Sequence, residues 1–411
     1  TDMPGTGGDI DSDTHTASDA LFLYAPGAVD EVALGDTVRV TGAISEFNGL
    51  TQIRANAGAA QKIADAQAPT PIPLELPRDA AERESIESML VQPTGQYTVS
   101  NTYTTFQYGE VALAFGDEPL QQPTERARLG SAEYAAVLDD NAARAVTVDD
   151  GQSTNFLSAS NSDLIPAYVS LTEPIIVGAD AVITEPMVFD YRNNAWKFNP
   201  VTPLVGDGTG TDAVEFENTR TEAPAPVGGD VSVASFNVLN YFTTLGTETA
   251  SCTAYVSPDG SERNNVSGAC DQRGAWDAED FERQQEKIGA AIKALDASVG
   301  GLVEIGNSAR LGNHPEEPSA ALVGALNDAA GDADKWAFVP SSAELPAAAS
   351  QDVISNAIIY QPAEASRVGD ARALGDESAT GQAFANAREP LPLLFEPADD
   401  GEDFLFVVNQ F

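Results

Sequence analysis

A run of proline and glycine, "TEAPAPVGG" at 221–229, splits the chain into two halves with different periodicities. Such a segment neither pairs in a sheet nor continues a helix, so it reads as a linker. Ahead of it, β-branched and aromatic residues alternate with turn residues. "QYTVSNTYTTFQYGEVALAF" at 96–115 reads as strands, and "LGSAEYAAVLDDNAARAVTVDDG" at 129–151 as a short helix followed by a strand. Behind the linker, strand and helix patterns take turns. "DVSVASFNVLNYF" is a strand, and "AEDFERQQEKIGAAIKALDA" is a helix with Phe281, Ile288, Ile292 and Leu295 on one face. "VGGLVEIGN", "KWAFVP", "DVISNAIIYQP" and "DFLFVVNQF" are further strands, and "SAALVGALNDAA" is a second helix. That alternation predicts an α/β layer architecture. A chain of 411 residues is long for one domain. Three regions are expected: 1–70, 71–225 and 226–411.

Charge narrows the partners. The chain carries 63 acidic and 21 basic residues, a net charge of −42. Such a surface repels a polyphosphate, which argues against binding nucleic acid by charge alone. It suits saline surroundings, where counterions screen self-repulsion. The two cysteines, Cys252 and Cys270, close one hydrophilic segment and have no histidine nearby. They suit a disulfide in an oxidising compartment better than a zinc site. No apolar run is long enough to cross a membrane, and no protein partner is legible. The first residue is Thr1 rather than Met, so a processed or truncated N-terminus is expected.

The front is acidic. In "GGDIDSDTHTASD", Asp9, Asp11 and Asp13 imitate the start of a calcium loop, but Thr14 and Ala20 stand where Gly and Glu are needed. A solvated loop is the plainer reading. Val38, Val40 and Ile44 are apolar strand positions, and Gly42 marks a bulge or bend. Tyr97, Tyr103, Phe106 and Tyr108 have faces on which bases could stack, although strand aromatics more often pack. His15 and His314 lie in loop-like surroundings and are expected to be exposed and idle.

Two polar residues interrupt otherwise apolar strands, Asn237 in "VASFNVLNYF" and Glu304 in "GLVEIGN". A carboxylate at such a place needs a cation, a donor or water. A salt bridge or helix cap satisfies that need, and so does a hard divalent metal with oxygen ligands.

The ordered series "VASFNVLNYFTTLG", "FERQQEKIGAAIKALDASVGGLVEIGN", "DVISNAIIYQPA", "NAREPLPLLF" and "FLFVVNQF" resembles the ExeM/NucH-type secreted bacterial nucleases. "GDTVRVTG" and "SEFNGLTQI" resemble the oligonucleotide/oligosaccharide-binding (OB) barrel that precedes their catalytic domain. The resemblance implies a multidomain chain. Residues 1–70 would be a partial OB-like barrel that begins before Thr1, serving as nucleic-acid dock or spacer, and 71–225 a β-rich accessory region. Residues 226–411 would be the N-terminal part of a four-layer α/β sandwich of the endonuclease/exonuclease/phosphatase fold, shared with deoxyribonuclease. It also implies an extracellular, cell-surface or periplasmic bacterial enzyme that hydrolyses phosphodiesters of DNA, or of RNA, with Mg²⁺ (or Mn²⁺/Ca²⁺). Asn237 and Glu304 would hold the metal and, with Gln410, form the catalytic set, while Asn240, Tyr360, Arg388 and Asn409 would contact substrate.

The departures matter. Gln410 stands where the family has a histidine, and it cannot carry a proton. Gln361 replaces a cation that could contact phosphate, and Gly306 replaces a second carboxylate. The remaining catalytic motifs of the family would fall beyond Phe411, so these residues alone are expected not to hydrolyse DNA at a useful rate. Alternatives that keep the fold are a phosphodiesterase for another substrate, such as phospholipid, and a catalytically decayed surface-binding protein.

Overall fold

The computed structural model describes residues 15–27, 31–65, 69–373, 377, 381–384, 387–399 and 401–410. The calcium-like aspartates Asp9, Asp11 and Asp13 lie outside them. The chain forms two compact units, 1–220 and 221–411, and residues 221–230 are all exposed and without regular structure.

In the first unit, residues 15–65 build two small sheets. Leu50–Arg54 lies between Phe22–Tyr24, to which it is parallel, and Ala43–Phe47, to which it is antiparallel; Asp36–Val40 pairs with Ala60–Asp65. Asn48 and Gly49 both have positive φ (52° and 86°) in the hairpin between Phe47 and Leu50, as a two-residue primed turn requires. Gly42 marks a close approach, since a Cβ there would lie 2.5 Å from the Arg54 carbonyl. Ile44 is not a core position; it is 72% exposed.

Residues 72–216 form a nine-stranded sheet. Its spatial order is Val214–Phe216, Asp180–Ile183, Tyr97–Asn101, Val111–Phe115, Ala145–Val148, Ala195–Pro200, Met187–Arg192, Met89–Thr94, Ile72–Glu75. Met89–Thr94 and Tyr97–Asn101 are well separated in that order, yet only Gly95 and Gln96 lie between them in sequence. A linker that short spans about 10 Å at most, so the sheet must curl until the two strands meet. The Gln92 side chain donates to the Ile183 carbonyl across the seam (3.2 Å). One core fills the inside, with Val91, Tyr97, Val111, Leu113, Phe189 and Phe198 almost wholly buried. The strand period of two turns Asp190 and Lys197 to the opposite face from Phe189 and Phe198.

The second unit is layered. Val233–Tyr241 runs parallel to Val299–Gly306, which pairs antiparallel with Ile354–Tyr360; only Ala337 and Phe338 of "KWAFVP" join as a fourth strand. Helix Ala278–Leu295 makes the crossover between the parallel strands. It starts at Asp277, whose carboxylate accepts from the Glu279 and Asp280 backbone N–H groups. Its Ile288 and Ile292, with Leu322 and Leu326 of helix Glu317–Ala330, cover one sheet face. The other face packs on a three-stranded antiparallel sheet, Ala365–Val368, Leu391–Pro397 and Phe404–Val408, through Val299, Ile358, Phe395 and Val408. The contact needs Gly301, because a Cβ there would lie 2.8 Å from Val408. A hairpin of Thr253–Val256 and Arg263–Gly268 is closed at its base by the Cys252–Cys270 disulfide.

Candidate functional site

The strongest local anomaly lies at the C-terminal end of the parallel pair. Glu304 has φ +63°, a left-handed conformation that costs a residue with a Cβ about 1–3 kcal/mol and persists only where its surroundings enforce it. The register of its strand slips on both sides at this level, between Leu302 and Ile305 against one neighbour and between Asn237 and Tyr241 against the other. Leu239 and Asn240 in that second neighbour are also left-handed (φ 46° and 58°). Coincident bulges re-aim side chains at a sheet end. Glu304 follows Val303, the register partner of Asn237, so the two polar residues lie at the same level of neighbouring strands.

Three of the residues singled out in sequence converge. Gln410 donates from Nε2 to Glu304 Oε1 (3.2 Å), and its backbone carbonyl accepts from the Arg388 N–H (3.2 Å). Asn237 Oδ1 accepts from the Leu239 N–H (2.7 Å), bracing the bulge while its side chain stays exposed. Arg388 is not free to meet a phosphate, because it pairs with Asp352 (2.9 Å). Asp352 and Asn356 also belong to this end of the sheet, Asn356 through a hydrogen bond to the Glu389 carbonyl (3.0 Å). Sequence reasoning passed over both, and no spacing signal marks them.

Several polar atoms here are buried without partners, among them Gln410 Oε1, Arg388 Nε, Asn356 Oδ1 and Asn240 Oδ1. Native interiors hold few such groups. No set of three or more His, Cys, Asp or Glu able to hold a metal comes together among the described residues. That donor set still fits Mg²⁺, which keeps several waters and takes one or two carboxylates plus substrate oxygens.

Other expectations need correcting. Tyr360 sits at the opposite end of its strand, opposite Val299, and its ring packs edge-on against Phe395 (5.5 Å), so it is core. Gln361 is buried there too and donates to Asp296 Oδ1 (3.1 Å) and the Ala297 carbonyl (3.2 Å), a structural tie rather than a phosphate contact. Asn409 shares the outward face of its strand with the exposed Leu405 and Val407, opposite the face of Gln410. Gly306 has no room for a carboxylate, since a Cβ would lie 2.9 Å from the Phe242 ring and 3.0 Å from the Tyr241 carbonyl. His15 is not idle; its Nε2 lies 2.7 Å from the Ser85 carbonyl oxygen. His314 is exposed but paired with Glu316 (2.9 Å).

The first unit holds a different constellation on the outer face of the curled sheet. Lys197, 3% exposed, pairs with Asp149 (2.8 Å) and with Glu110. Burial alone would lower its pKa, but the two carboxylates carry it above the ordinary range. Asp190, 1% exposed, accepts from Arg192 Nε (2.6 Å) and Asn199 Nδ2 (2.8 Å), with burial raising its pKa against the pull of Arg192. Burial also pushes Asp150 up to about 7. Of the four aromatics, Tyr97 is core, whereas Tyr103, Phe106 and Tyr108 are exposed, contrary to the packing reading.

No family model, curated protein or solved structure matches the chain.

Proposed function

We propose that residues 221–411 carry the metal- and phosphate-holding part of a Mg²⁺-dependent phosphodiesterase whose substrate is nucleic acid. In this reading the second unit is built on the endonuclease/exonuclease/phosphatase plan. Residues 1–70, whose described part forms a three-stranded and a two-stranded sheet, are the partial OB-like barrel of this reading, and the curled sheet of 72–216 is its β-rich accessory region. The observation that carries the functional reading is Glu304, strained into the left-handed region and hydrogen-bonded to Gln410 at the level where two bulges coincide.

Glu304 and Asn237 would hold the ion, which supplies charge stabilisation to a reacting phosphoryl oxygen. Gln410 keeps Glu304 oriented through Nε2, and its unpaired Oε1 is an acceptor for a water or a ligand hydroxyl. Glutamine does not move a proton at this pH range, so the residues gathered here bind and orient without a general base. Secretion through an oxidising compartment is supported by the Cys252–Cys270 bridge.

The test is Mn²⁺ binding followed by electron paramagnetic resonance, with ³¹P line broadening of a dinucleotide as the substrate readout and plasmid nicking alongside. Glu304→Gln is expected to lower Mn²⁺ affinity at least tenfold and to abolish the broadening. Identical Mn²⁺ titrations for the two proteins would refute the reading.

A further inference from the structure

Directly beside Glu304 the sheet end opens into a cavity of about 260 Å³, with Ile305 and Gly306 in its wall. Its polar wall includes Glu316, Ser319, Ser341, Ser355, Asn356 and Glu389, and no lysine or arginine lines it. Much of this polarity is already committed. Asn307 donates to Gln351 Oε1 (2.7 Å) and the Asp352 carbonyl (2.9 Å), and Gln351 donates to the Pro346 carbonyl (2.7 Å). Glu316 is engaged by His314 (2.9 Å) and the Ser341 N–H (3.3 Å). The Glu389 carboxylate has no hydrogen bond or ion pair among the described residues, and its residue is only half-buried. What the wall offers a guest therefore includes serine hydroxyls and Glu389, whose carboxylate is uncommitted among the described residues. Phosphate is repelled from such a wall, and a neutral group rich in N–H donors is drawn to it.

We infer that this cavity is a base subsite selective for guanine, receiving the base of a nucleotide whose phosphate lies at Glu304; the inference rests on the phosphodiesterase reading. Guanine places N1–H and N2–H₂ side by side, a fork that one carboxylate accepts with both oxygens. Adenine and cytosine set a lone amino group beside a ring acceptor, which a carboxylate repels. Uracil and thymine set one N–H between two carbonyls. The volume lies just below the range of ordinary ligand pockets, about 300 to 1,000 Å³, so it takes one base rather than a pair. The substrate nucleotide is accordingly single-stranded or turned out of its stack.

Calorimetric titration of the 411-residue protein with guanosine, inosine, adenosine and cytidine tests this without involving phosphate or metal. Guanosine is expected to bind roughly tenfold tighter than inosine, which lacks the 2-amino donor. The isosteric Glu389→Gln should erase that preference while leaving Mn²⁺ binding intact. Equal binding of all four nucleosides, no binding, or a guanosine preference that survives Glu389→Gln would overturn the subsite. Because nucleosides carry no phosphate, a guanosine preference alongside failed Mn²⁺ binding would count against the metal site alone.

Discussion

The chain buries charge in two ways. On the outer face of the curled sheet, Lys197 sits between Asp149 and Glu110, and Asp190 between Arg192 and Asn199. At the sheet end of the second unit, Glu304 is left-handed, and polar atoms around it have no partner. The first arrangement pairs its charges with one another, although a cavity of about 1000 Å³ opens over it and Asp150 Oδ2 beside it has no partner. The second is incomplete and strained, the condition expected of a place that binds something.

The largest expected effect tests the closed network. Lys197→Met strands the buried Asp149 and the half-buried Glu110 carboxylates and should lower the stability of the first unit by about 3 kcal/mol. Calorimetry should show its transition falling while that of the second unit stays in place. The second unit depends on a staple instead. Replacing Cys252 and Cys270 by serine opens a loop with a sequence separation of 18. Chemical denaturation should report a loss of about 3 kcal/mol, and an unchanged midpoint would mean the hairpin holds without the bridge.

A pH comparison sharpens the contrast further. The folded pKa of Asp150 is raised to about 7 by burial from an ordinary 3.8. The folded state therefore holds more protons than the unfolded one between these values, and stability from this group falls as pH rises through that window. Asp150→Asn should flatten the decline of the melting temperature between pH 4 and pH 7. The smallest effect has the opposite sign. Glu304→Gly removes left-handed strain and should stabilise the second unit by about 1 kcal/mol while destroying Mn²⁺ binding. A destabilised Glu304→Gly protein would show that the lost hydrogen bond from Gln410 outweighs the strain.

Legibility differed by element. The helix over 278–295 was readable because an amphipathic period is a local property, and so was the strand–helix alternation that makes the second unit layered. Asn237 and Glu304 stood out because polar residues in apolar strands need an explanation. Arg388 was found for the wrong reason; its sequence context suggests a free cation, and its partner Asp352 lies in a different strand's approach. Tyr360 and Asn409 failed because sequence does not say which end of a strand, or which face, meets the site.

By itself, then, the sequence determined the main strand and helix segments of the second unit, the linker at 221–229, and that two cysteines in one polar loop would pair, while the boundary expected at 70/71 has no counterpart in the two compact units. Those properties depend on period, composition and short loops, which are local along the chain. Only the tertiary structure decided that the strands of 72–216 curl into a ring, that Gly306 faces the Phe242 ring, and that Gln410 reaches Glu304. Each is a contact between distant residues set by register and by bulges, and a one-residue slip in a strand turns every side chain to the other face.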